Sequence, residues 1–158
     1  MQSIQILLFA VALVLSLAAC GKEEAAVPVD DTDSAGSNHT YQSSGQLREQ
    51  RMASGEKLYA AHCAACHQAN GQGLTGAFPP LTESSYLAEG AGPAISVVLN
   101  GLKGPITVNG VKYNAIMPSL SYLNDGEVAD VLLFVMNSWN NPGGEVSPEE
   151  VAAARQAK

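Results

Sequence analysis

Cys63-Ala64-Ala65-Cys66-His67 sets two thiols three positions apart, with an imidazole directly after the second. Such a pair can form a redox disulfide, supply half of a zinc site, or add to the vinyl groups of a haem. The chain has three cysteines in all, the third being Cys20, so no four-cysteine zinc cage can be built. A thioredoxin-like thiol site would sit in a βαβ pattern, and none surrounds this motif. Cys-x-x-Cys-His is the spacing of c-type haem attachment. Cysteines three apart reach two neighbouring vinyls from one turn of chain, and the next residue projects toward the metal. One covalent haem c on Cys63 and Cys66, with His67 as an axial ligand, is the expected cofactor.

The elements that must position these residues are legible around them. A first helix is expected from about Gln46 to Ala61, with Ser43 and Gln46 as a capping box and Met52, Gly55, Tyr59 and His62 at helical spacing. Gly55 inside it costs about 0.5–1 kcal/mol against Ala, which suggests a close approach by another element. After the motif, "QANGQGLTGAFPPL" is loop, because its glycines and paired prolines forbid regular structure. Thr82 to Ala88 is expected as one short helix and Pro93 to Leu102 as another, with Pro93 suited to a first turn. Asn109-Gly110 between two β-favouring runs signals a hairpin. A last major helix begins at Asn124, where Glu127 completes a cap, and is expected to reach about Ser138. Its apolar stripe of Val128, Val131, Leu132, Val135, Met136 and Trp139, widened by Leu133 and Phe134, calls for burial on more than one side. Ser147-Pro148-Glu149-Glu150 then opens a short terminal helix with Arg155 and Lys158 at its end.

The N-terminal part has a different character. An apolar run from Ile4 to Ala19 is shorter than the ~20 residues needed to span a bilayer as a helix. It ends in Leu17-Ala18-Ala19-Cys20, which resembles the lipobox of bacterial lipoproteins and implies lipidation of Cys20. Cut there, cut elsewhere or kept as an anchor, such a segment exports the domain, to a compartment where disulfides persist. From Gly21 to about Ser44 the chain carries five acids against Lys22 and few large apolar residues, so it is read as a disordered tether. As a flexible coil it would span about 27 Å. His39 belongs to this tether and is read as solvated. The formal charge is −7, and the mild excess of acids left for the folded part argues against nucleic acid as a partner.

From about Gly45 to Asn140 the chain resembles a class I cytochrome c. The likeness rests on a first helix with Gly55 and Tyr59, CAACH, a glycine-rich loop to Pro79-Pro80-Leu81, Met117-Pro118, and a closing aliphatic helix ending in aromatics. It implies an all-α class I cytochrome c fold, here with a small β-hairpin insertion before the axial methionine. It also implies that Met117 takes the sixth iron position, since Met1 leaves with the signal, Met52 precedes the motif and Met136 falls in the core stripe. By the same resemblance the Pro79 carbonyl accepts a hydrogen bond from the free ring nitrogen of His67, Leu81 packs on the haem face, and Gly55 and Tyr59 cross Val131 and Phe134. As a bare sequence feature, Pro79-Pro80 could equally serve to stiffen a loop. Tyr86, Tyr113, Tyr122 and Trp139 are candidate donors to the haem propionates, or else ordinary core and surface residues. Leu120 stands where some small bacterial cytochromes place a polar residue, and His62 is read as a helix-end residue.

The domain organisation expected is a lipoprotein signal peptide over 1–19, a lipidated cysteine and acidic tether over 20–44, a haem domain over 45–140, and a C-terminal extension with a short helix over 141–158. The function expected is that of a one-electron carrier, not an enzyme, held by lipid on the periplasmic side of a bacterial membrane and exchanging electrons with redox partner proteins. Gly21, lacking an aspartate-type retention mark, leans toward the outer membrane. Three alternatives stay open at this level: the cytochrome subunit of a larger reductase, oxidase or dehydrogenase; an open-site haem enzyme or gas sensor; and a thiol–disulfide oxidoreductase using the CAAC pair.

Overall fold

The computed structural model describes residues 44–157. The signal segment, Cys20, the tether with His39, Ser43 of the first capping box, and Lys158 lie outside the described residues. The described part is mostly helical: α1 Ser44–His62, α2 Ala64–His67, a 3₁₀ turn Leu87–Glu89, α3 Ala91–Asn100, α4 Asp125–Met136 and α5 Pro148–Gln156, with one hairpin of β1 Ile106–Val108 and β2 Val111–Tyr113. No helix among these residues is long and apolar enough to cross a membrane.

The helix starts follow from their caps. Asn124 accepts from the Glu127 amide while the Glu127 carboxylate accepts from the Asn124 amide, and Ser147 and Glu150 repeat the exchange at α5, where Pro148 occupies the first helical position. Each pair satisfies two of the donors that a helix N-terminus leaves unpaired. Asn109 and Gly110 both adopt positive φ, 51° and 78°, the backbone of a two-residue turn whose twist matches its strands. The strands pair antiparallel with Val108 opposite Val111 and Ile106 opposite Tyr113.

α4 is the centre of the core. Val128, Ala129, Val131, Leu132, Leu133, Val135 and Met136 are all buried, and α1, α3 and α5 each pack against it. The closest of these contacts is the α1 crossing. A Cβ on Gly55 would run into the Asp130 carbonyl oxygen and come within 2.7 Å of the Phe134 Cβ. The two backbones therefore touch, and no side chain lies between them to give way. Tyr59, one turn on, is buried, with its ring centroid 5.7 Å from Phe134 and 5.0 Å from Trp139. Arg51 adds a polar tie, donating to Asp130 at 2.7 Å and to the Val146 carbonyl at 2.6 Å. The segment after residue 140 packs into this same core, since Val146 and Val151 are fully buried.

Two expectations are corrected. Thr82 to Ser85 is not helical; the chain makes turns there and only Leu87–Glu89 winds into a 3₁₀ turn. Glu83 sits at φ 45°, outside the helical region, and the two amides that follow are held by distant side chains, Ser84 N–H donating to Asn141 Oδ1 and Ser85 N–H to Asn109 Oδ1. Likewise α4 stops at Met136, short of Ser138. Trp139 and Asn140 take left-handed backbones at φ 50° and 60°, and Asn137 caps the end by donating its side-chain amide to the carbonyls of Leu133 and Gly144. Trp139 is thus outside the helix, although its ring still packs edge-on against Phe134 at 5.4 Å.

Because the Gly55 contact is backbone on backbone, a Gly55→Ala substitution should lower the unfolding free energy by about 1–3 kcal/mol, as overpacking does, and override the gain in helix propensity. Guanidinium unfolding of the two proteins measures this; an unchanged or raised midpoint contradicts the crossing.

Candidate functional site

α1 runs almost directly into the motif. Cys63 N–H donates to the Tyr59 carbonyl at 2.9 Å, and the Cys66 and His67 amides donate back to the Cys63 carbonyl at 3.1 and 2.9 Å. Cys63 therefore caps the single turn of α2. Residues three and four apart on such a turn share a face, and Cys63, Cys66 and His67 all line one cavity. Neither thiol is bridged. The Tyr59 hydroxyl donates to the Gln68 carbonyl at 2.6 Å, holding the exit of the turn against α1.

The cavity has a volume of about 130 Å³ behind an open mouth and is walled mainly by apolar side chains such as Leu81, Leu87, Leu102, Val108, Val131 and Leu132. Protein interiors are close-packed and leave few voids larger than a water molecule. A void well above the size of a water molecule, open on one side and lined by apolar side chains, has the character of a ligand site. Ile116, 67% exposed, stands at its lining.

His67 is oriented inside it. Its Nδ1 lies 2.9 Å from the Pro79 carbonyl oxygen. A carbonyl can only accept, so Nδ1 carries the proton and Nε2 keeps its lone pair. Burial holds the His67 pKa below the ordinary imidazole range, outweighing the opposite pull of the Pro79 bond, which keeps the ring neutral and able to bind a metal. Cys63 is affected in the other direction: burial first, and the neighbouring Cys66 second, push its thiol up to about 11. Catalytic dithiols carry a thiol of lowered pKa, the opposite of the direction at Cys63.

Met117 reaches the same cavity from a different part of the chain. It pairs with Leu102 through two backbone hydrogen bonds, Leu102 N–H to Met117 O at 2.9 Å and Met117 N–H to Leu102 O at 3.0 Å. The loop is fastened further to the end of α3: Leu120 N–H donates to the Val98 carbonyl at 2.9 Å and the Ser119 hydroxyl to the Leu99 carbonyl at 2.6 Å. These are carbonyls that a helix C-terminus leaves unpaired. Gly101 makes the approach possible, with φ 73° and no room for a Cβ, which would lie 2.6 Å from the Met117 carbonyl oxygen. Met52 and Met136 do not line the cavity; Met136 is buried in the core cluster.

Of the residues singled out in the sequence, Cys63, Cys66, His67, Pro79, Leu81 and Met117 converge on one cavity, and Tyr86 and Tyr113 line it with them. Trp139 and Tyr122 do not; Tyr122 is 67% exposed and its hydroxyl meets His62 Nδ1 at 3.2 Å. Sequence reasoning missed Leu102, Gly101 and Asn141. The Asn141 side chain donates to the carbonyls of Leu81 and Val135 at 2.7 and 2.8 Å and accepts from Ser84 N–H at 3.1 Å, tying the Pro79–Leu81 segment to α4. Gly101 just past a helix was a readable stop signal; nothing marked the other two. The donor set, two thiols beside a neutral imidazole with a thioether elsewhere on the wall of an apolar cavity, fits a flat apolar macrocycle with a metal at its centre.

Comparison with known proteins gives the same reading. The family model described as cytochrome c matches residues 52–139. Cytochrome c-552 of Thermus thermophilus is 47% identical over 94 residues, covering 57% of this chain and 71% of that protein. The gluconate 2-dehydrogenase cytochrome c subunit of Pantoea cypripedii is 34% identical over 109 residues, 65% of this chain and 24% of the subunit. The cytochrome c subunit of alcohol dehydrogenase (quinone) from Gluconobacter oxydans is 30% identical over 105 residues, 64% of this chain and 22% of the subunit. The chain thus spans less than a quarter of either dehydrogenase subunit.

Replacing Asn141 by Ala should cost about 1–3 kcal/mol of unfolding free energy, because it strips partners from peptide groups of the cavity wall. Denaturant unfolding reads this, and a loss within experimental error would show that the Pro79–Leu81 segment is held by packing alone.

Proposed function

Because this chain belongs to the cytochrome c family, an electron-transfer family whose haem c is covalently attached, we propose that it is a mono-haem one-electron carrier with His67 and Met117 as the axial pair. The observation that carries this reading is the convergence of His67 and Met117, from segments far apart in sequence, on one apolar cavity. When bound, the haem supplies a single-electron couple, and methionine–histidine ligation raises its potential.

The chain's own groups do the rest. Cys63 and Cys66, just past the end of α1, would hold the macrocycle through two thioether bonds. The Pro79 carbonyl keeps His67 in the tautomer that presents Nε2 and increases its basicity. The Leu102 pairing holds Met117 in place on the cavity wall, where it and His67 would hold the iron between them and leave no position open to a substrate. The apolar wall excludes water, so little solvent has to reorganise when charge changes. The protein is accordingly an electron carrier and not by itself an enzyme. A second reading, in which the chain serves as the cytochrome component of a larger complex, is favoured by its likeness to dehydrogenase cytochrome subunits. Recovery of a co-purifying dehydrogenase from gently solubilised native membranes would select it.

The setting is part of the same proposal. The lipobox at Leu17–Cys20 and the acidic segment behind it support a signal peptide over 1–19, a tether over 20–44, and a lipid-anchored domain on the periplasmic side of a bacterial membrane. The electron donor and acceptor are then proteins that meet the domain there.

Three outcomes are expected. Full-length protein matured in a host with haem-attachment machinery should keep its haem on a denaturing gel and show a sharp reduced α-band and the near-infrared sulfur-to-iron band. Met117→Ala should lose that near-infrared band, bind carbon monoxide readily and fall in reduction potential; a variant with the band intact rules Met117 out as ligand. Separately, the N-terminal fragment of the mature protein should begin at Cys20 and carry the mass of attached acyl chains, a modification absent from Cys20→Ser; an N-terminal fragment with unmodified Cys20 would refute lipid anchoring at that residue.

A further inference from the structure

The Met117 loop is fastened on one side by α3, but the run from Ser119 to Asp125 must also be held as it leaves for α4. α5 does this with one side chain. Arg155, in the last turn of α5, donates from Nη1 to the Ser121 carbonyl at 2.9 Å, from Nη2 to the Leu123 carbonyl at 2.8 Å, and from Nε to Asp125 Oδ1 at 2.9 Å. Three donors in the fixed fork of one guanidinium thus grip three points of an irregular segment, which a lysine could not reproduce. The arginine is itself held. Val151 is fully buried one turn back and Ala154 packs against the core, so α5 cannot slide without breaking the core.

We propose that α5 is a clamp on the methionine loop and that Arg155 is a positioning residue governing how readily Met117 leaves the iron. The proposal rests on the His/Met reading above. Ser121 and Leu123, whose carbonyls Arg155 holds, flank Tyr122, whose hydroxyl meets His62 beside Cys63. The grip therefore falls on the stretch that bridges the methionine loop and the attachment motif. Leu120 and Leu123, both buried in the core and joined by the Leu123 N–H bond to the Leu120 carbonyl at 3.0 Å, anchor the loop on its α4 side, and Arg155 holds the second of these through its carbonyl. Local opening is governed by local contacts and can differ from global unfolding, so the clamp acts on ligand exchange separately from overall stability.

The test uses full-length ferric holoprotein, with cyanide as the probe of methionine departure, followed by stopped flow at one fixed pH. Arg155→Ala should bind cyanide about tenfold faster, the factor carried by the loss of roughly one charge-assisted hydrogen bond, while keeping its near-infrared sulfur-to-iron band at rest. Arg155→Lys, which keeps the charge without the fork, should show a smaller rise in the same direction and provides the measurement if the alanine variant does not fold. Arg51→Ala is the control: it removes a comparable arginine from Asp130 and the Val146 carbonyl, away from the loop, and should lower the melting temperature with cyanide binding within about twofold of the parent. The clamp is overturned if the Arg155 variants bind cyanide at the parent rate, or if Arg51→Ala accelerates binding as much as Arg155→Ala. A parent protein lacking the near-infrared band would sink the His/Met reading and this proposal with it. A parent with the band and unchanged variant rates would sink the clamp alone.

Discussion

The contact of Gly55 with the α4 backbone is the reference point for the whole site. α1 ends in the attachment motif, and α4 supplies Val131, Leu132 and Val135 to the cavity wall. Where two helices meet through side chains, a rotamer change can absorb a shift; where a glycine lets a carbonyl and a Cβ meet backbone directly, the separation has almost no slack. The thiols at the end of α1 are therefore placed against the cavity wall by main-chain contact. Tyr59, packed between Phe134 and Trp139 and bonded to the Gln68 carbonyl, carries the same registration one turn further, into the motif.

A cavity of this size in a small domain has a structural cost, because much of its wall must be irregular chain. Buried backbone that is not in a helix or sheet needs other partners for its amides and carbonyls. Two solutions occur here. On the histidine side, Asn141 bridges the Pro79–Leu81 segment to α4. On the methionine side, the loop uses the free carbonyls at the end of α3, so one set of hydrogen bonds both finishes a helix and secures the Met117 segment. The exposed ion pair Arg48–Glu145 adds little by comparison. The Arg51 and Arg155 pairs matter mainly through the carbonyls they also hold.

The electronic character of the site follows from the same enclosure. Burial keeps His67 neutral and Cys63 protonated when unmodified, and the Pro79 bond selects which imidazole nitrogen faces inward. These effects act together: a neutral, correctly protonated imidazole and two thiols on one helical turn are what covalent attachment and axial ligation require of a polypeptide.

The attachment motif, the helix caps, the Asn109-Gly110 turn and the apolar stripe of α4 were all legible in the amino-acid sequence. Each is a local device whose physics is complete within a few residues: a thiol spacing, a reciprocal side-chain bond, a positive φ that glycine and asparagine tolerate, a helical period. Pro79 and Met117 were nameable only through resemblance to a family, since a proline in a loop and a methionine before a helix carry no signal of their own. What tertiary structure alone decided is where long-range contacts override local preference. Thr82 to Ser85 is not helical: Glu83 turns left-handed and the four amides bond to distant partners, Gly71, Trp139, Asn141 and Asn109, while α4 stops early because Asn137 caps it and Trp139 turns left-handed. The partners of the loops around the cavity, Leu102, Asn141 and Arg155, could not be read from the chain. Their importance lies in bonds to carbonyls that every residue possesses, so only folding determines which carbonyl each one meets.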